Sequence, residues 1–153
     1  MRKTLILFFA VVFCVVFPPS LLALGQAPPE SQERWAKEDR AAQALETLRR
    51  AYEDRDFAGF FHGVSEDYRQ GETDLRSDLA DERSSISAVD MHFTASQTVV
   101  EGDKAAIQVR WKKRTMDART GQPALSEGSA EFVFQFTADE KTLLLDIRGQ
   151  SPF

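Results

Sequence analysis

Residues 88–115 read AVDMHFTASQTVVEGDKAAIQVRWKKRT, and their hydrophobic period is two. Val89, Met91 and Phe93 alternate with Asp90, His92 and Thr94, and Ile107, Val109 and Trp111 alternate with Gln108, Arg110 and Lys112. Alternation of this kind marks strands buried on one face only. Glu101-Gly102-Asp103 between the two runs is a tight hairpin signal. Downstream the pattern continues. Ala130, Phe132, Phe134 and Phe136 share one face of a third strand over 126–137, and residues 138–141 close another hairpin. A last strand over 142–148 then turns Leu143, Leu145 and Ile147 inward by the same rule.

Upstream of residue 88 the period is helical. Residues 33–55 carry Trp35, Ala42, Leu45, Leu48 and Tyr52 at helical spacings with charges between them. Asp56 is placed to cap a short second helix over 57–64, whose Phe57, Phe60, Phe61 and Val64 point to a core. A third helix over 73–85 brings Leu75 and Leu79, followed by Ile86. Helices first and a meander afterwards predict an α+β domain, with three helices packed on one face of a curved four-stranded antiparallel sheet.

The first 27 residues have a different character. Arg2 and Lys3 precede an unbroken apolar run over 5–17, Pro18 and Pro19 break it, and small residues lead to Ala27. This is the layout of a secretory signal peptide cut after Ala27. The run is shorter than the roughly 20 residues a spanning helix needs, so the expectation is an exported chain, periplasmic or extracellular, with no membrane attachment after cleavage. Residues 28–32 read as a flexible leader and 33–150 as the folded domain. Cleavage would also remove Cys14, the one cysteine, which excludes disulfides and thiolate chemistry from the mature chain. The 153 residues hold 24 acidic and 19 basic side chains, and loss of Arg2 and Lys3 takes the net charge from −5 to −7. A nucleic-acid binder would carry the opposite balance.

Several short stretches carry a family resemblance: Ala51-Tyr52-Glu53-Asp54-Arg55-Asp56, Phe60, Val64-Ser65-Glu66-Asp67-Tyr68, Ile107-Gln108-Val109-Arg110-Trp111 and the closing Leu143-Leu144-Leu145-Asp146-Ile147-Arg148-Gly149. With the order α-α-α-β-β-β-β, the chain resembles the nuclear transport factor 2-like superfamily, which includes ketosteroid isomerase and scytalone dehydratase. The resemblance implies a cone-shaped fold with a pocket beneath the helices. In the enzymes of that superfamily, a carboxylate or histidine projects into the pocket.

Alternation assigns an almost wholly apolar face to the pocket side, and the strand centres place no carboxylate, histidine or tyrosine there. Asp90 and His92, which share a face and would make an acid–base pair, fall on the solvent side with Arg110, Lys112, Arg114, Glu131, Gln135, Asp146 and Arg148. His62 and His92 lack a third metal ligand, so no metal or cofactor is expected. Phe61, His62, Tyr68, Phe93, Trp111 and Phe134 are the candidate ligand-binding residues, an apolar lining with a few polar tips. The function this favours is non-catalytic: binding a small apolar ligand, or supporting a protein partner in the cell envelope. One alternative is a small lyase, isomerase or hydrolase using His62 as base and Tyr68 as donor. The other is a protein-interaction module working through the charged outer sheet face.

Overall fold

The computed structural model describes residues 29–68 and 72–153; the expected signal peptide lies outside them. Helix α1 spans Pro29–Glu53, α2 Phe57–His62 and α3 Glu72–Ser85. Strands β1 (Ile86–Glu101), β2 (Lys104–Asp117), β3 (Pro123–Phe136) and β4 (Thr142–Gly149) follow as an antiparallel meander in the order β1-β2-β3-β4. This is the α+β arrangement expected from the sequence. No helix among the described residues is long and apolar enough to cross a membrane.

α1 begins at Pro29 rather than at residue 33, so most of the expected leader is helical; proline's fixed φ suits a first helical position. Its buried stripe is Ala41, Leu45, Leu48 and Tyr52. Trp35, 56% exposed, and the exposed Ala42 do not belong to it. The stripe starts only where the helix meets the sheet: Lys37 donates to the Gly102 carbonyl and Arg40 to the Glu140 carbonyl, at the two hairpin tips. Beyond Glu53 the chain turns through Arg55 at φ 59°. Asp56 then caps α2 as expected, its carboxylate accepting from the Gly59 N–H at 2.9 Å.

The pleat sorts side chains as the alternation demands along β1, β2 and β3. Met91, Ile107, Val109, Trp111, Ala130, Phe132 and Phe134 are buried under the helices, while Asp90, His92, Arg110 and Lys112 are exposed on the other face. A bulge falls at Ser96, between the pairs Ala95–Val109 and Gln97–Gln108. It leaves Asp90 and His92, which precede it, outward.

The last strand departs from the expectation. Val133 pairs with Asp146 but Phe134 pairs with Leu144, so Leu145 is an extra residue. A bulge of one residue moves everything on its far side to the other face. Leu144 and Ile147 therefore join the main core cluster, 0% and 1% exposed, whereas Leu145, although buried, packs outside that cluster and Leu143 is only half-buried. The same segment seals the sheet edge. Leu144 donates its N–H to the Gly63 carbonyl at 2.7 Å and accepts from the Ser65 N–H at 2.8 Å, so the chain leaving α2 lies along β4 and covers its free edge. Leu144→Ala should cost about 2–5 kcal/mol in urea unfolding and Leu143→Ala roughly half that or less, its burial being partial; equal losses would mean the bulge is misplaced.

Candidate functional site

The concave face of the sheet closes over a ring that neither a helix nor a strand carries. After β4 the chain turns at Gly149, φ 92°, and residues 150–153 fold back beneath α1. The Phe153 ring sits 4.9 Å from Phe60, 5.0 Å from Tyr52, 6.1 Å from Phe132 and 6.3 Å from Phe93, centroid to centroid. Three of these contacts are edge-on, the geometry that aromatic quadrupoles favour. Pro152 is almost fully buried beside it.

Two side chains grip the backbone of this segment. Trp111 donates its indole N–H to the Gln150 carbonyl at 2.8 Å. Its ring comes up against β3 at residue 128, where glycine leaves the room; a Cβ there would stand 2.6 Å from the indole. Lys113 donates to the Pro152 carbonyl at 2.8 Å. It points inward because it continues the alternation of Ile107, Val109 and Trp111 by one step, and so corrects the expectation of an almost wholly apolar face.

Lys113 also donates to Glu82 at 2.6 Å and to the Tyr52 hydroxyl at 3.0 Å, and that hydroxyl donates in turn to Glu82. Three elements meet here: α1 supplies Tyr52, α3 supplies Glu82 and β2 supplies Lys113. Burial, with the Glu82 hydrogen bond and charge behind it, pushes the Tyr52 phenol far above its ordinary range. Alongside lies a cavity of about 20 Å³, lined by Tyr52, Arg55, Phe57, Glu82, Arg83, Ile86 and Val89, with room for one water. The larger hollows are open grooves on the outer sheet face and along α1.

The six residues expected to bind a ligand divide between the interior and the surface. Phe93 and Trp111 touch the 150–153 segment directly. Phe134 is fully buried in the same core. Phe61 is half-buried, under the Arg76 guanidinium at 3.8 Å from its ring centre. Tyr68 is 5% exposed, and its hydroxyl has no hydrogen-bond partner among the described residues; burial and the nearby Asp146 push its phenol up to about 12. His62 is exposed in the last turn of α2, so it faces away from the interior that Tyr68 occupies. No group of three metal-ligating side chains occurs among the described residues.

Sequence reasoning missed Lys113, Glu82 and Phe153. Continuing the β2 alternation past Trp111 would have found the first, and the Leu75–Leu79–Glu82 spacing along one helix face the second. Nothing in the sequence points to the third.

No family model matches this sequence, and no curated protein is similar to it. Solved structures are. A conserved protein from Planctomyces limnophilus superposes with a TM-score of 0.68 at 12% identity, over 76% of this chain and 100% of that one. A ketosteroid isomerase-like protein from Erwinia carotovora atroseptica gives 0.61 at 14%, over 74% and 96%. A nuclear transport factor 2-like superfamily protein from Salmonella enterica gives 0.60 at 11%, over 80% and 94%. The chain has the nuclear transport factor 2-like fold. At these identities the likeness extends to the fold and stops there. In nuclear transport factor 2-like terms, the Phe153 ring occupies the cone and Tyr52, Glu82 and Lys113 sit at its wall.

The two tyrosines of the chain are both buried with raised phenols, which fixes the behaviour in alkali. A phenol whose folded pKa lies above its unfolded value stabilises the fold up to about pH 10, and that contribution is lost as pH rises further. Phenolate absorbance should therefore stay flat through pH 10 and then rise together with loss of the circular dichroism signal. A separate ionisation near pH 10 in folded protein would refute the burial of these hydroxyls.

Proposed function

We propose that this is an exported, non-catalytic binding domain that takes a small, largely apolar ligand into the cone. The observation that carries this reading is the box of Tyr52, Phe60, Phe93 and Phe132 around a ring borne on an irregular segment. The rings of the box itself, Tyr52, Phe60, Phe93 and Phe132, belong to helices or strands and cannot leave without unfolding their element. Phe153 can. Withdrawing it forfeits roughly 1.5–3 kcal/mol of apolar burial, more for Pro152, and hydrogen bonds of about 1 kcal/mol each. An open cone is then a minor state, which a ligand populates by binding it in preference to the closed one.

Catalysis is less well supported by the same geometry. Tyr52, Glu82 and Lys113 satisfy one another, and the space beside them, about 20 Å³, is the size of a water and too small for a substrate. The outer-face reading is weaker too, because its charges are interleaved: Asp90 pairs in register with Arg114, Lys112 lies 3.8 Å from Glu127, and Arg148 bridges Glu131 and Asp146. Mixed signs of this kind are the ordinary pattern of a solvated surface. Native mass spectrometry of protein recovered from its own host tests the proposal. A small-molecule adduct is expected; bare chain alone, or chain held by another protein, would overturn it.

A further inference from the structure

Resting on the binding role proposed for the cone, we infer that residues 150–153 act as a tethered stand-in for its ligand. The ligand itself is then an aromatic ring joined by a short linker to an uncharged carbonyl group. Three observations lead there. First, the ring position is defined on several sides, by Tyr52 and Phe60 from the helices and by Phe93 and Phe132 from the sheet.

Second, the side chains that contact the segment are donors aimed at its carbonyl oxygens, Trp111 at Gln150 and Lys113 at Pro152; in the other direction the Gln150 N–H donates to the carbonyl of the exposed Ser129. Lys113 Nζ has three acceptors, Tyr52 Oη, Glu82 Oε1 and the Pro152 carbonyl. Only the last leaves with the segment. The departing segment therefore frees one ammonium N–H, together with the Trp111 indole N–H, at the wall of the vacated space. A buried donor without a partner is costly, so the open cone favours a guest that brings an acceptor. Between the Pro152 carbonyl and the Phe153 ring lie the N, Cα and Cβ of residue 153, and this sets the spacing of ring and acceptor.

Third, the charge on Lys113 is already matched. Glu82 lies 2.6 Å from it, and the two side chains are 13% and 21% exposed. A carboxylate guest would set a second anion against one ammonium in a poorly solvated place, which disfavours its charged form. A neutral amide or ketone meets no such penalty.

N-(2-phenylethyl)acetamide copies the path from the Pro152 carbonyl to the Phe153 ring and serves as the probe. 4-Phenylbutanoate keeps the spacing and adds a negative charge; ethylbenzene keeps the ring and drops the acceptor. Calorimetric titration of Phe153→Ala, its fold checked by circular dichroism, should give affinity for the amide at least about tenfold above wild type, because wild type must first expel its own ring. The same variant should bind the amide more tightly than either control. Equal affinity in wild type and Phe153→Ala would overturn the stand-in while leaving the proposed binding function intact. No binding by folded Phe153→Ala would remove both.

A second measurement keeps residue 153 intact. The chain has two tryptophans, Trp111 and the exposed Trp35, so Trp35→Phe leaves Trp111 as the single indole reporter. Saturating amide should shift its emission as the Gln150 carbonyl departs. Heat of binding with unchanged Trp111 emission would place the probe elsewhere and defeat the inference, as would the absence of any binding heat.

Discussion

An open four-stranded sheet leaves two strand edges with unpaired backbone groups, and their satisfaction fixes where everything else in this molecule stands. On β1 the exposed edge is met by side chains of α1: Glu53 accepts the Met91 N–H at 2.6 Å and Arg49 donates to the Met91 carbonyl at 3.1 Å. On β4 it is met by backbone, through Gly63 and Ser65 on Leu144. Buried or half-buried amide groups left unpaired are costly, so the two helices have little freedom to slide. Tyr52 rides on the helix pinned to β1, and Phe60 on the one whose exit is pinned to β4. The aromatic box follows from those two anchors.

The cluster of Tyr52, Glu82 and Lys113 makes a different energetic case. Bringing a lysine and a glutamate out of water consumes most of what their attraction returns, and apolar residues of like volume often serve stability as well or better. Removing one partner is another matter, because the remaining charge stays buried alone. The fold alone therefore gives no strong reason to hold an ammonium at the cone wall. A reason does come from its third contact, the carbonyl of Pro152, which apolar replacements could not make. Arg49 shows the contrasting case nearer the surface. Glu46, whose carboxyl its guanidinium draws down to about 2, and Glu53 flank it along the helix, and the cluster serves to hold the arginine over Met91.

Much of the architecture was legible because period-two and helical patterns report burial directly. The outward placement of Asp90, His92 and Arg110, the capping by Asp56 and the helix-then-meander order all follow from that rule. It fails where the backbone changes count: the single extra residue at Leu145 has no compositional mark, since Leu143, Leu144 and Leu145 are identical side chains. It fails again at Trp35, where a helix outruns the sheet beneath it, because periodicity tells which way a residue faces and not what stands opposite. Of the candidate site, Phe93, Trp111 and Phe134 were readable from strand alternation. Lys113 obeyed the same alternation and was overlooked as a charged residue, whereas Phe153 lies outside any periodic element and only tertiary packing reveals it.

The junction of α3 and β1 has a mechanical meaning. Ser85 ends the helix and Ile86 begins the strand with no residue between, and Arg55 clamps the joint by donating to the carbonyls of Arg83 and Ile86. Glu82 stands one turn before that joint and Met91 a few residues beyond it. Helix and strand therefore form one stiff lever, and a displacement that parts Glu82 from Lys113 also loads the Met91 contacts at the opposite arm.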